Sequence, residues 1–297
     1  MYVIANERAG HGRGGQVLAD VRPLLPAGTA VAVTTGAGDA RAKAAEAADC
    51  GENLVVALGG DGTVNEVANG IADAGFNTAL GIIPGGGGND FAWALGISAE
   101  PGAAMEVIKD GSRRAIDLGL LTVSGKPPRR YVNTFGLGAS GHVAQLAEAR
   151  GSKRGTYAYA FELVKMMFFI RPWPFEIELD GGVISRAAVY AQLANGRREG
   201  RVFTVAPQAQ LDDGLLDMLV VTDVPLLKRP WFILRGGSGH VPTGRNVIRK
   251  RVQGAVIRAK APLPCHIDGE PFTLAEGEEA RVELLPGALT VVAPAAG

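Results

Sequence analysis

The stretch LVVALGGDGTVNEVANG (54–70) decides the fold of the first half of the chain. An apolar run ends in two glycines and a helical pattern follows, which predicts a buried strand and then a helix. Thr63 and Glu66 have the T-x-x-E spacing of a capping box. Glycines let the backbone approach a ligand, and free N–H groups at a helix start favour an anion. The carboxylate of Asp61 stands in this turn, where it would repel a phosphate unless it binds a metal or accepts a proton.

The strand-then-helix pattern repeats across roughly the first 120 residues, which indicates a mostly parallel sheet covered by helices on both faces. We predict strands at 2–6, 30–35, 53–58 and 78–84, and helices at 14–25, 40–49, 63–74 and 89–97.

Short β-rich runs separated by Gly, Pro and Asp turns fill the rest of the chain and predict an antiparallel β-sandwich or barrel. One helical interruption is expected near 153–170, and GKPPRR (125–130) is the predicted junction. We therefore expect domains at 1–124 and 125–297, with the last strand free to return to the first domain.

The composition excludes several classes of protein. The 297 residues have a formal net charge of zero, which argues against a dedicated nucleic-acid binder. Two distant cysteines without a CxxC motif argue against a disulfide framework or a zinc site, so Cys50 and Cys265 are expected to be buried, reduced thiols. We see no signal-peptide pattern, and the apolar stretches are too short to span a bilayer. These features predict a cytoplasmic protein.

A second glycine turn, PGGGGND (84–90), also ends a strand and opens a helix, with Asn89 and Asp90 at the helix start. Carboxyl ends of parallel strands share one edge of a sheet, where ligands bind, so both turns are expected there. Neither turn is a Walker A loop or a clean GxGxxG fingerprint. A third turn, NERAGHGRGG (6–15), has arginines that suit phosphates or lipid headgroups, although a solvated loop explains it equally well.

Two acidic turns occur in the second half. LDDGLLD (211–217) suits a hard cation such as Mg2+ or Ca2+, but its spacing alone favours a hairpin turn. HIDGEPF (266–272), taken alone, is also typical of a hairpin.

In their order along the chain, GGDGTVNEV (59–67), the PGGGGNDFA turn (84–92), DDGLLD and DGE resemble the lipid kinase family of diacylglycerol and sphingosine kinases, and most closely its soluble bacterial diacylglycerol kinase-like members. The likeness extends over essentially the whole chain. Further matching segments are ANERAGHGRG (5–14), IDLG (116–119), NTFGLGASGHV (133–143), LANG (193–196) and VAPQAQLDDG (205–214). GGDGT alone also occurs in NAD kinases, but the later motifs distinguish this chain from them.

The resemblance implies an N-terminal nucleotide-binding α/β domain (NAD kinase/diacylglycerol kinase-like), a C-terminal antiparallel β-sandwich and an active site between them. It implies transfer of the γ-phosphate of ATP to a lipid hydroxyl with Mg2+, diacylglycerol being the first choice. The acids matching the catalytic positions are Asp61, Asp90 and Glu270. The residues expected at the nucleotide are Asn6, Gly59, Gly60, Gly62, Thr63, Asn65, Glu66, Gly85, Gly86, Gly87 and Asn89. Those matching the loop of a structural Mg2+ are Asp212, Asp213, Leu215 and Asp217.

Three departures from the family pattern concern the substrate and the catalytic rate. Gly87 stands where the family usually has a threonine that helps hold the nucleotide, and Trp93 stands where it has an arginine. Glu7 and Ala9 replace the proline and serine of the N-terminal turn.

Two alternatives stay open: an NAD kinase-like activity on a soluble hydroxyl, and a catalytically weak protein that binds lipid or nucleotide. A lipid substrate implies transient association with the inner membrane surface, no nucleic-acid partner is expected, and a homodimer stays open. LVKMMFFIRPWPF (163–175), with Lys165 and Arg171, suits a membrane or acyl chain, but a helix buried in the β domain is favoured. Lys153 and Arg154 either face anionic lipid or form a solvated pair.

Overall fold

The computed structural model describes residues 1–150, 170–201, 203–229, 231, 235 and 243–295. The chain divides into two compact units, the first comprising Met1–Leu118 and Pro286–Gly297 and the second Gly119–Leu285. The division precedes the expected 124/125 boundary because one long strand, β5 (Ser112–Val123), begins in the first unit and ends in the second.

A parallel sheet forms the centre of the first unit. Its strands are β1 (Tyr2–Ala5), β2 (Ala30–Val33), β3 (Leu54–Gly59) and β4 (Ala79–Pro84), in the order β2–β1–β3–β4. The end of the last strand, β17 (Glu279–Ala293), lies parallel to β4 through Val291 and Leu80. β4 is buried throughout and β3 at all but its first residue, as expected for continuous apolar strands inside a parallel sheet.

Helices follow the strands of this sheet: α1 (Arg13–Val21), α2 (Asp39–Asp49), α3 (Asp61–Asp73), α4 (Asp90–Ala94) and α5 (Pro101–Asp110). The helix predicted at 89–97 therefore ends early, and α5 was not predicted. Glu100 caps α5 because its carboxylate accepts from the N–H groups of Gly102 (2.9 Å) and Ala103 (2.5 Å).

The second unit is mainly antiparallel β-structure, as predicted. Its further elements are β6 (Arg129–Tyr131), β7 (Thr134–Gly138), α6 (Ala139–Arg150), β8 (Trp173–Leu179), β9 (Gly182–Ala194), β10 (Arg198–Glu199), β11 (Phe203–Thr204), β12 (Leu216–Thr222), β13 (Val247–Val252), β14 (Gly254–Ala259), β15 (Leu263–Ile267) and β16 (Glu270–Leu274). Strands pair in the order β16–β15–β7–β9–β8–β14–β17, with β12 on β9 and β13 on β12. Alternate residues such as Phe135, Leu137, Leu193 and Cys265 form the core.

The two cysteines differ in exposure. Cys50 is exposed at the end of α2, so its predicted burial was wrong, whereas Cys265 is buried, which raises the pKa of its thiol to about 12. The helix predicted near 153–170 lies almost entirely outside the described residues. The side chains for which the sequence left a lipid contact open as an alternative also lie outside the described residues: Lys153, Arg154, Lys165, Met166, Met167, Phe168 and Phe169.

Candidate active site

The carboxyl edge of the parallel sheet holds the candidate site. β1 lies between β2 and β3, so the strand order reverses between β1 and β3, and ligands bind at such a switch point. Asn6, directly after β1, donates its backbone N–H to the Leu58 carbonyl (2.8 Å) and its Nδ2 to the Thr63 hydroxyl (3.1 Å). The third glycine-rich turn (6–15) is thereby held against the start of α3.

Close contacts between glycines join the three predicted turns. A methyl group on Gly10 would lie 2.7 Å from the Gly85 carbonyl oxygen, and one on Gly86 would lie 2.4 Å from the Cα of Gly60. The Gly85 N–H also donates to the Gly59 carbonyl (2.8 Å). Side chains at these positions would separate the turns, so the glycines form a continuous backbone floor at the sheet edge.

Other glycines of the two turns lie beside open space. A methyl group on Gly62 or Gly87 would have no described atom within 4 Å. Gly62 is the second residue of α3, where backbone N–H groups have no partner within the helix. This part of the floor is therefore accessible to an anionic ligand.

Asp61 links the GGDG turn (59–62) to the second glycine turn (84–90). It is the first residue of α3, and its Oδ1 accepts the backbone N–H of Phe91 in α4 (3.1 Å). Its Oδ2 is directed at Gly88, where a methyl group would lie 2.8 Å from it and 3.7 Å from Oδ2 of Asp90. Asp90 is only 4% exposed. The structure therefore brings both predicted carboxylates to one point above the glycine floor.

Asn89 shapes the second glycine turn (84–90). Its Oδ1 accepts the Gly86 N–H (2.9 Å) and its Nδ2 donates to the Gly86 carbonyl (3.0 Å). Its backbone has a φ of 53°, in the left-handed region that asparagine tolerates better than most residues. The side chain thus closes the loop that aims Asp90 at the floor.

The predicted capping box was wrong. α3 begins at Asp61, two residues before Thr63, so Thr63 lies inside the first turn and its hydroxyl accepts from Asn6. Glu66 accepts instead from the N–H groups of Gly38 (2.9 Å) and Ala40 (3.1 Å), at the start of α2. Its carboxylate therefore stabilises a neighbouring helix.

Asn65 lies one turn into α3, on the helix that begins at the floor. Its carbonyl oxygen and its Oδ1 both accept from Nδ2 of Asn69, at 3.0 and 3.1 Å. These bonds orient the side chain along α3, so its expected contact with the nucleotide stays a proposal.

Glu270 belongs to the second unit. It begins β16, its side chain is 68% exposed, and it forms an ion pair with Arg129, whose guanidinium lies 5.5 Å from the ring centroid of Phe272. The salt bridge orients the carboxylate without burying it.

Asp268, two residues earlier, was missed by sequence reasoning. Its carboxylate accepts from the backbone N–H groups of Val132 (2.9 Å), Asn133 (3.0 Å) and Thr134 (2.7 Å). Its φ of 47° and the following glycine belong to a tight turn. Asp268 therefore anchors the turn that leads to Glu270. The sequence signal for this turn was the Asp-Gly pair at 268–269, which does not reveal the distant N–H groups that Asp268 binds.

Two of the three acids of the 211–217 turn, Asp213 and Asp217, face an arginine. Asp213 accepts the Leu215 N–H (3.1 Å) and pairs with Arg251, which lies opposite Asp217 in the β12–β13 register. Nε of Arg251 is 3.9 Å from Oδ2 of Asp217, which forms no hydrogen bond in the described structure; burial raises the pKa of this carboxyl.

This arrangement does not fit the structural Mg2+ expected at Asp212, Asp213, Leu215 and Asp217. Within the described parts of the chain, no group of three or more acidic, histidine or cysteine side chains is arranged to hold a metal ion. The guanidinium of Arg251 supplies positive charge at two of the acids.

Two family models match the chain. The model of the diacylglycerol kinase catalytic domain matches residues 1–121, and that of the YegS C-terminal NAD kinase beta sandwich-like domain matches residues 133–293. The chain belongs to this lipid kinase family. A probable lipid kinase YegS-like protein of Chromohalobacter salexigens is 32% identical, over 89% of this kinase and 84% of the relative. A diacylglycerol kinase of Bacillus subtilis is 31% identical, over 84% and 82%.

Solved structures show the same fold as this kinase. A proposed diacylglycerol kinase from Bacillus anthracis str. Sterne superposes with a TM-score of 0.81 at 26% identity, over 99% of this chain and 95% of that one. Among the residues described for the kinase, no helix combines the length and apolar composition needed to cross a bilayer.

Proposed function

We propose that this kinase transfers the γ-phosphate of ATP to the free hydroxyl of diacylglycerol, giving phosphatidic acid, as a cytoplasmic enzyme that works at the membrane surface. The observation that carries this proposal is the meeting of Asp61 and Asp90 at Gly88, above a backbone floor suited to phosphates. A lipid hydroxyl as acceptor is supported by the relatives named as lipid kinases, and diacylglycerol by the B. subtilis relative, which is named a diacylglycerol kinase.

The floor would bind the nucleotide through its backbone. The N–H groups at the start of α3 and the open positions at Gly62 and Gly87 suit the oxygens of the phosphates. Mg2+ bound with ATP would neutralise phosphate charge, and the carboxylate of Asp90 is the kind of ligand that it prefers. Trp93, exposed on α4, adds no positive charge, so phosphate binding relies on backbone groups and the metal.

Asp61 is the candidate proton acceptor. Its Oδ1 is held by the Phe91 N–H, so its Oδ2 is directed at Gly88. Oδ2 would take the hydroxyl proton as the lipid oxygen bonds to the γ-phosphorus and the bond from that phosphorus to the ADP oxygen breaks. Asp90 would help position the phosphates, and Glu270 keeps its predicted role as a catalytic acid.

A phosphorylation screen with labelled ATP tests this function. We expect diacylglycerol to be phosphorylated in preference to a sphingoid base, ceramide and NAD. Asp61→Asn should lower the phosphorylation rate by a factor of about 10²–10⁴. Asp73→Asn is the matched control, because Asp73 lies at the far end of α3 in a surface ion pair with Arg41. Phosphorylation of NAD alone would favour the soluble-hydroxyl alternative, and binding of ATP and lipid without turnover would favour a binding protein.

A further inference from the structure

One long segment of the chain has a strong positive bias. Between Asp223 and Asp268 the sequence contains no aspartate or glutamate, although the whole chain has 30 acidic and 30 basic residues. The basic residues of this segment are Lys228, Arg229, Arg235, Arg245, Arg249, Lys250, Arg251, Arg258 and Lys260. The positive charge is therefore local, in a chain that is neutral overall.

β13 carries the densest part of this charge. Among the described strands it pairs with β12 alone, so it forms an edge, and Arg249 and Lys250 are both exposed on it. Charged residues on an edge strand commonly prevent aggregation, and that role alone would explain them. It does not explain the apolar side chains that are exposed nearby.

Leu227 is the most exposed of the large hydrophobic residues described. It lies in a short 3-10 turn, Leu226–Lys228, after β12, and is 92% exposed. Trp231 is 47% exposed, and the guanidinium of Arg235 lies 5.5 Å from its ring centroid. Tryptophan beside basic residues, with a protruding leucine, is typical of a surface that sits at a membrane–water interface.

Hydrogen bonds place this turn beside the start of β13. Asn246 accepts the Thr222 N–H at its carbonyl (2.9 Å), and its side chain donates to the Asp223 carbonyl. Arg229 secures the other side of the turn by donating to the carbonyls of Val224 (3.0 Å) and Ile170 (2.9 Å). The exposed leucine is therefore held close to Arg245 and the basic strand.

On the basis of the lipid kinase function proposed above, we infer that this surface docks the enzyme on an anionic bilayer. It consists of Leu227, Lys228, Trp231, Arg245 and Arg249, and we name it the basic docking surface. Lys250 is not part of it, because successive residues of a strand point to opposite faces. The basic residues would bind anionic headgroups, and Leu227 would enter the acyl boundary. Nucleic acid would satisfy the charges but would leave the aliphatic side chain of Leu227 in water, so the bilayer is favoured.

Vesicle flotation of the full chain tests the docking surface. We expect binding to phosphatidylcholine vesicles that contain phosphatidylserine, weak binding to phosphatidylcholine alone, and weaker binding at high salt. Changing Lys228, Arg245 and Arg249 together to glutamine should lower the affinity about 100-fold, at about fivefold per charge. Leu227→Ser should lower it several-fold without changing the melting temperature, because the side chain is exposed.

The matched control removes the same charge elsewhere. Arg22, Lys109 and Arg114 are exposed residues of the first unit, and their joint change to glutamine should leave flotation unchanged. Wild-type flotation of the triple variant would overturn the docking surface. A triple variant that no longer bound single-stranded RNA but still bound vesicles would overturn it too, because the basic residues would then serve nucleic acid.

A second readout separates this inference from the proposed function. Short-chain diacylglycerol dispersed in detergent does not require docking, so the triple variant should phosphorylate it at the wild-type rate. A wild-type chain that binds vesicles in this way but phosphorylates no lipid would refute the kinase proposal and leave the surface intact. Normal flotation of the triple variant by an active kinase would refute the surface alone.

Discussion

Two substitutions at Asp61 separate its structural role from its chemical role. Asp61→Ala removes both the acceptor of the Phe91 N–H and the carboxylate at Gly88. Asp61→Asn keeps an acceptor oxygen for that N–H but removes the charge and the basic oxygen. The two variants should therefore agree in activity and differ in stability.

The magnitudes follow from the hydrogen bond. Losing the acceptor at a helix start costs about 0.5–2 kcal/mol, typically ~1 kcal/mol, which corresponds to a fall of roughly 2–4 °C in melting temperature for a chain of this class. We expect that fall for Asp61→Ala and a change within about 0.5 kcal/mol for Asp61→Asn. Both variants should lose about 10²–10⁴-fold in phosphorylation rate, since neither has a proton acceptor.

Thermal unfolding followed by circular dichroism, together with initial rates at saturating ATP, measures both effects. Asp73→Asn controls for the loss of one aspartate charge on α3. An active Asp61→Asn enzyme would refute the assignment of Asp61 as proton acceptor. An Asp61→Ala chain as stable as the wild type would refute the contribution of its bond to Phe91.

Three further predictions concern the floor and the acidic turns. Gly86→Ala should weaken ATP binding at least tenfold in calorimetry, because its methyl group would lie 2.4 Å from the Cα of Gly60. The control is Gly181→Ala, in the turn between β8 and β9, where a methyl group meets open space and ATP binding should stay at the wild-type level. Equal ATP binding by the two variants would contradict the close-packed floor. Asp268→Asn should lower the free energy of unfolding by about 1–3 kcal/mol in urea denaturation, since one amide oxygen cannot replace both carboxylate oxygens at three N–H groups. An unchanged urea midpoint would contradict the anchoring role of Asp268. EDTA should leave the melting temperature of the wild type unchanged, because Arg251 supplies the positive charge at the 211–217 turn. Arg251→Met should have a lower melting temperature, and millimolar Mg2+ should raise it again. A wild type destabilised by EDTA would support the metal site expected from the sequence.

The regular part of the fold follows from local patterns. β3 and β4 are continuous apolar runs, and such runs followed by helices specify a buried parallel sheet whatever the partners are. β13 was missed because VIRKRV (247–252) has three consecutive basic residues. An edge strand tolerates them, since it is hydrogen-bonded on one side alone among the described strands.

The candidate site was predictable in its residues but not in its contacts. Glycine turns after two strands predicted where Asp61 and Asp90 would meet. The false capping box came from placing the start of α3 at Thr63, whereas the helix starts at Asp61 and Glu66 finds its partners at the start of α2. The bond from Asp268 to Val132 joins residues 136 positions apart, and no local pattern specifies such a partner.

Asp61 shows how a carboxylate can stand in an anion-binding turn. It is the first residue of α3, where negative charge is favourable, and it accepts the N–H of Phe91 at the start of α4. Two helix starts thus offset its charge, which reduces the repulsion that a phosphate on the floor would otherwise meet. Because the bond to Phe91 occupies Oδ1, Oδ2 keeps its direction toward Gly88. The contact that makes the charge tolerable is therefore the same contact that orients the oxygen we propose as the proton acceptor.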